Sequence, residues 1–153
     1  MDLKARIAAA TKDAMKAKET ARLSTLRLIS AAIKDREIAA RGDGDDKGLS
    51  DDDLLAILSR MVKQRQESAR AYEEGGRLEL AEKETDEIGI IQEFLPKQLS
   101  ADETREAVAG VVADLGAESI RDMGRVMAEL KARYTGQMDF GAVGPMVKEK
   151  LMG

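Results

Sequence analysis

From Leu3 to Leu151 the apolar residues return every three or four positions, and no segment reads as a strand, so the chain must fold as helices packed by their apolar stripes. The first stripe runs Leu3, Ile7, Ala10, Ala14, with Met15 and Ala17 widening it near its end. A second helix begins near Ala21 and carries Leu23, Leu26, Ile29 or Ser30, and Ile33, with Leu28 and Ala32 beside them. Its apolar surface is broad enough to touch more than one neighbour. It stops in Gly42-Asp43-Gly44-Asp45-Asp46-Lys47-Gly48, where glycine entropy and like charge both oppose a helix.

Ser50 followed by Asp51, Asp52 and Asp53 predicts a third start: a hydroxyl to accept from an exposed amide, and three carboxylates at the positive end of the dipole. Leu54, Leu58, Met61 or Val62, Ala69 and Tyr72 give this helix about six turns, and Gly75-Gly76 closes it where a left-handed residue is cheap. The fourth carries Leu78, Ala81, Thr85, Ile88, Ile91 and Leu95, and Pro96 bars its continuation. Phe94-Leu95-Pro96-Lys97-Gln98-Leu99 reads as a hinge, because Ser100-Ala101-Asp102-Glu103 forms a capping box and starts afresh. Val108, Val111, Val112 and Leu115 mark a fifth helix ending at Gly116. Ser119 caps a sixth, with Met123, Val126, Met127, Leu130 and Tyr134 inward and Gly136 as its stop. Asp139 caps the last, which buries Val143, Val147 and Leu151; Pro145 implies either a kink or a regular part that starts at Gly144-Pro145. The expected architecture is all-α and two-domain: a four-helix N-terminal unit over residues 1–95, a hinge at 96–99, and a three-helix C-terminal bundle over 100–153.

Composition agrees, with 35% charged and 3% aromatic residues, as in helices with solvated faces. There is no cysteine, so no disulfide, which fits a reducing compartment. Met1-Asp2-Leu3-Lys4-Ala5-Arg6 starts directly into the helical pattern, with no basic stretch leading into an apolar run. A cytoplasmic chain that neither is secreted nor spans a membrane is therefore expected.

Histidine is absent, which removes the commonest general base near neutral pH and the commonest metal ligand. Without cysteine, thiol nucleophiles and zinc clusters go too. No phosphate loop of the GxxxxGKS/T form occurs. As a calcium loop, Asp43 and Asp45 would supply the first ligands and Gly48 the turn, but Lys47 takes the third ligand position and Leu54 that of the bidentate glutamate. Glu73 with Glu74, and Glu82, Glu84, Asp86 and Glu87, read as carboxylates on solvated helix faces. The eight methionines fall mostly at apolar helical positions and read as core filling. No catalytic residue, cofactor or metal is assigned.

Basic residues are the remaining candidates. Residues 1–41 hold ten Lys/Arg against five Asp/Glu, and residues 42–99 hold eight against fifteen. Arg22, Arg27, Lys34, Arg36 and Arg41 line the second helix, and Lys63, Arg65 and Arg70 the third. Of these, Arg22, Arg27, Lys34, Lys63 and Arg65 form a candidate interaction face. In the C-terminal unit Arg121, Arg125, Lys131, Arg133, Lys148 and Lys150 cluster in sequence and form a candidate phosphate-contacting set.

Five segments carry a resemblance over nearly the whole chain: Leu23-Ser24-Thr25-Leu26-Arg27-Leu28-Ile29-Ser30-Ala31-Ala32-Ile33-Lys34, Lys63-Gln64-Arg65-Gln66-Glu67-Ser68, Gly75-Gly76-Arg77-Leu78-Glu79-Leu80-Ala81-Glu82-Lys83-Glu84, Phe94-Leu95-Pro96-Lys97-Gln98-Leu99 and Asp122-Met123-Gly124-Arg125-Val126-Met127. In that order they closely resemble the YqeY proteins of the GatB/YqeY family. The resemblance implies a C-terminal unit similar to the tail of GatB, the subunit of the glutamine-dependent aminoacyl-tRNA amidotransferase, where that tail holds tRNA and amide transfer occurs in a separate domain absent here. Met123-Gly124-Arg125-Val126-Met127 corresponds to the tail's Gly-x-Val-Met core, and Gly136 with Asp139 to the loop before the last helix. The small Gly124 would let its helix approach a neighbour or an RNA backbone closely. Gln137-Met138, where the tail usually has a basic and a small residue, and Pro145 depart from that pattern.

Two functions of different class follow. One is a noncatalytic, tRNA-related accessory protein, linked to amidation of misacylated tRNA and partnered by tRNA or by a protein of the amidation or translation machinery. The alternative is a protein interaction module with no RNA role. The family's carbon-nitrogen ligase activity, with glutamine as amido-N-donor, is a third and weakest expectation for a chain with these nucleophiles missing.

Overall fold

The computed structural model describes residues 2–44 and 48–152. Among them there are seven α-helices and no strand: α1 (Leu3–Lys16), α2 (Thr20–Gly42), α3 (Asp51–Glu74), α4 (Leu78–Gln92), α5 (Ala101–Leu115), α6 (Met123–Tyr134) and α7 (Phe140–Met152). A 3₁₀ turn, Ile120–Asp122, leads into α6. The chain divides into two compact units, Met1–Pro96 and Lys97–Gly153. Asp45 and Lys47, two of the positions of the calcium-loop reading, lie outside the described residues, as does Asp46.

Helix starts follow the side chains that satisfy orphan amides. Asp2 accepts from the Ala5 amide at 2.7 Å and opens α1. Ser50 and Asp53 exchange bonds of 2.9 and 3.2 Å, and Ser100 and Glu103 bonds of 3.0 and 3.1 Å, so α3 and α5 each begin in a complete capping box. Such a cap is worth about 1 kcal/mol. Ser119 serves the 3₁₀ turn rather than the helix itself, accepting from the Arg121 amide at 3.3 Å. Asp139 accepts from the Gly141 amide at 3.0 Å, and α7 then runs from Phe140 straight through Pro145. Its start precedes Gly144, and Pro145 merely lacks the amide that would have reached Gly141.

In the N-terminal unit, Leu3, Ile7, Ala14, Leu26, Ile29, Ile33, Leu54, Leu58, Met61, Val62, Ile91 and Phe94 form one core. Leu26, Ile29, Leu58 and Ile91 have no solvent contact, and truncating such a leucine or isoleucine to alanine costs about 2–5 kcal/mol. Beyond Val62 the α3–α4 hairpin continues with only Ala69 and Ala81 buried between its arms.

Several stripe positions turn out to face solvent. Met15 is 53% exposed, Leu28 43% and Leu78 67%. Each lies at the margin or end of its stripe, where no second helix arrives to cover it. α4 also ends earlier than Pro96 requires: Glu93, Phe94 and Leu95 donate to Ile90, Ile91 and Gln92, the tighter i to i−3 pattern that closes a helix. This turn carries Phe94 into the N-terminal core rather than leaving it in a linker, with the Arg6 guanidinium 5.7 Å from its ring centre.

The C-terminal unit closes on Ala107, Val108, Val111, Val126, Leu130, Met138, Val143, Val147 and Leu151. Gly116 (φ 61°) ends α5 in the left-handed region. Gln98 and Leu99 are tied into this unit, since the Leu99 amide donates to Gln137 O at 2.9 Å and Gln98 Nε2 to Gly136 O at 2.5 Å.

Candidate functional site

A groove of about 1090 Å³ lies between α5 and α7 of the C-terminal unit. Leu99, Val108, Met138, Val143 and Met146 line its apolar part, and Arg105, Glu106, Glu149 and Lys150 its polar part. Met138 thus serves the groove as well as the core, Met146 lines the groove alone, and Met152 is 70% exposed. Among the described residues no buried side-chain polar atom lacks a partner, and no cluster of three metal-ligating residues forms.

Helical phase divides the six C-terminal cations. Residues two apart on a helix point about 200° away from each other, so Lys148 and Lys150 leave α7 on different sides, and Lys131 and Arg133 do the same on α6. Lys150 lines the α5–α7 groove. Arg133 turns to α5 and lies 2.8 Å from Asp114 and 2.7 Å from Glu129; its guanidinium is held more firmly charged, first by Asp114 and then by Glu129. Arg125 donates to Asp122 at 3.2 Å and to Leu115 O at 3.4 Å. The Asp122 carboxyl is lowered from its ordinary value, chiefly by the bond it accepts from the Glu118 amide, with Arg125 adding to it. Arg121, Lys131, Lys148 and Lys150 are exposed and make no ion pair among the described residues.

The three small or rigid positions have separate roles. A Cβ on Gly124 would meet nothing within 4 Å, so no neighbour within the unit closes on α6 at that position. Gly136 (φ 76°) is the left-handed stop after α6, and its carbonyl receives the Gln98 amide. Pro96 is exposed at the boundary between the two units.

In the N-terminal unit the interaction face also splits. Arg22 grips both oxygens of Glu93, at 2.5 and 3.1 Å, bridging residues 71 apart in sequence. Arg65 binds Glu87 at 2.9 Å and Met61 O at 3.2 Å, with 15% of its side chain exposed. Both are internal struts. Arg27 and Lys63 are exposed, and Lys34 joins Lys4, Ile7, Ala8, Ser30, Ile33, Glu37, Ile38 and Arg41 in a groove of about 360 Å³ between α1 and α2. Sequence reasoning missed Lys4 and Ile38 there. The signal was available: Ser30, Lys34, Ile38 and Arg41 recur at spacings of four, four and three, a single face of α2.

Fold and surfaces together define a class: all-helical proteins of two compact units, with exposed cations on the smaller one. Within that class, the chain belongs to the family described as Yqey-like protein, whose profile matches residues 4–151. It is 33% identical over 107 residues to "Altered inheritance of mitochondria protein 41, mitochondrial" of Kluyveromyces lactis, covering 68% of this chain and 55% of that protein. The like-named proteins of Eremothecium gossypii and Lachancea thermotolerans are 38% and 36% identical over 84 residues, 55% of this chain and 44% and 43% of theirs. The chain spans about half the length of the curated relatives it matches.

These relatives correct the expected compartment. They are mitochondrial by name, and the cytoplasmic expectation does not stand against them. It rested on a cysteine count of zero and on the helical pattern of the first six residues, and neither feature discriminates among compartments. No helix among the described residues is long and apolar enough to cross a membrane.

Proposed function

We propose that the chain is a noncatalytic, tRNA-binding accessory protein, linked to glutamine-dependent amidation of misacylated tRNA, whose C-terminal unit contacts the nucleic acid. The observation that carries this reading is the set Arg121, Lys131, Lys148 and Lys150: exposed cations that no carboxylate neutralises among the described residues, on a unit whose Met123-Gly124-Arg125-Val126-Met127 core resembles the GatB tail. Arg125 and Arg133, engaged by Asp122, Asp114 and Glu129, play the lesser part, because a phosphate must first compete with those acids. The open space over Gly124 supports a close approach by an RNA backbone rather than by a helix of the same unit.

Fluorescence anisotropy of the full chain with bulk tRNA at two salt concentrations tests it. Each neutralised phosphate steepens the dependence of log affinity on log salt by about 0.7–0.9, so Arg121→Glu with Lys131→Glu should flatten the slope by about 1.4–1.8 as well as weaken binding. An absence of binding, or an affinity indifferent to these changes and to Lys148→Glu, refutes the reading. Glutamine-dependent ammonia release by the purified chain would refute its noncatalytic part.

A further inference from the structure

The α1–α2 groove belongs to the N-terminal unit and shares no residue with the set of cations just discussed, and its charge and its apolar content both call for a partner. Its floor is aliphatic: Ile7 and Ile33 at the base, 2% and 4% exposed, and Ile38 at the rim, 57% exposed. Around that floor stand Lys4, Lys34 and Arg41 against one acid, Glu37. Glu37 is already taken by Lys4 at 2.8 Å, which leaves Lys34 and Arg41 without an ion pair among the described residues. An aliphatic strip flanked by cations is complementary to an aliphatic strip flanked by carboxylates, and burying Ile38 supplies apolar area that charge pairing alone does not.

The groove's dimensions point to the form of that partner. Ser30, Lys34, Ile38 and Arg41 extend along α2 for about 16 Å, three helical turns. That is the span over which an amphipathic helix presents anchors at i, i+3 or i+4, and i+7. A nucleic acid would satisfy the cations and waste the floor, since no aromatic side chain is present on which a base could stack. We infer that the α1–α2 groove is a docking site for an acidic amphipathic helix of a partner protein, seating leucine-like side chains over Ile38 and Ile33 and its carboxylates against Lys34 and Arg41.

The test uses the full chain and a labelled, end-blocked peptide of about four turns, with leucines at helical spacing among glutamates and alanines. Anisotropy should report binding that Ile38→Asp and Lys34→Glu each weaken about tenfold or more, and that Ile38→Leu leaves near the parent value. Both positions are exposed, and circular dichroism verifies that the variants keep their helices. A matched peptide with alanine for leucine should bind at least about tenfold more weakly. Equal affinity for the two peptides, indifference to Ile38→Asp and Lys34→Glu, or no binding overturns the inference. So does displacement of the peptide by tRNA with loss of tRNA affinity in Lys34→Glu, which would make nucleic acid the occupant. A concentration-dependent dimer in sedimentation velocity, abolished by Ile38→Asp, would instead place a second copy in the groove and equally overturn it.

Discussion

Arg65 of α3 reaches across the hairpin to Glu87 of α4 at 2.9 Å, with both side chains about four-fifths or more withdrawn from solvent. The pair sits where the aliphatic core gives out: inward lie Leu58, Met61 and Ile91, and outward only Ala69 and Ala81. Cutting Arg65 to alanine should leave Glu87 largely buried and uncompensated, at a cost of about 1–3 kcal/mol. Arg65→Met combined with Glu87→Leu should fall within about 1 kcal/mol of the parent, because an apolar pair of similar size replaces both charges at once. Urea unfolding of Arg65→Met, Glu87→Leu and the double variant gives the coupling directly; a neutral Arg65→Ala would reduce the pair to a surface contact. For the same reason, any loss of partner binding in an Arg65 variant has to be read first as a loss of hairpin stability.

Lys18 holds a left-handed backbone (φ 59°) in the short turn between α1 and α2, where the Glu19 amide returns to Ala14 O at 3.0 Å. A side chain with a Cβ is disfavoured there by about 1–2 kcal/mol relative to glycine. The added freedom of glycine in the unfolded chain offsets roughly half of that. Lys18→Gly is therefore expected to stabilise the protein by about 0.5–1 kcal/mol, a rise of a few degrees in Tm for about 150 residues. Lys18→Val should lower the Tm. Calorimetry checks both, and a lower Tm for the glycine variant would show that the lysine conformation carries no strain.

Glu103 closes the α5 capping box, and its carboxyl is lowered from its ordinary value, first by the Ser100 backbone amide and then by the Ser100 side chain. Asp122, at the start of α6, is lowered in the same direction. A carboxyl depressed in the folded state binds its proton more readily when unfolded, so its contribution is present above the unfolded value, near pH 4, and is lost as pH falls through the folded one. Stability should therefore decline on acidification below about pH 5. Glu103→Gln, which keeps an acceptor for the Ser100 amide, should flatten that decline. Denaturant titrations at stepped pH measure it, and an unchanged slope in Glu103→Gln would exclude this carboxylate as a source.

Helix boundaries were legible because they are written locally. The Ser50 and Ser100 boxes, the Gly76 and Gly116 stops and the Asp139 cap each involve residues within a few positions of one another. Leu23 to Lys34 and the other family segments likewise pointed to the family that the profile match establishes. Long-range pairing was not legible: nothing near Arg22 announces Glu93, and Arg65 looked as free as Lys34 until the hairpin folded. Stripe margins misled in the same way, because whether Leu28 or Leu78 is covered depends on a neighbouring helix rather than on spacing. Among the candidate site residues, adjacency in sequence was the deceptive cue. Lys148 and Lys150 look like one basic patch on paper and leave the helix on different sides.

The bonds from Gln98 and Leu99 to Gly136 and Gln137 mean that the smaller unit's strand of support begins before its first helix. A fragment opening at Lys97 carries its own seal over the α6–α7 turn, whereas one opening at Ser100 leaves the Gly136 and Gln137 carbonyls to water. A protease cut three residues later thus deprives the released piece of two hydrogen bonds, each worth about 1 kcal/mol.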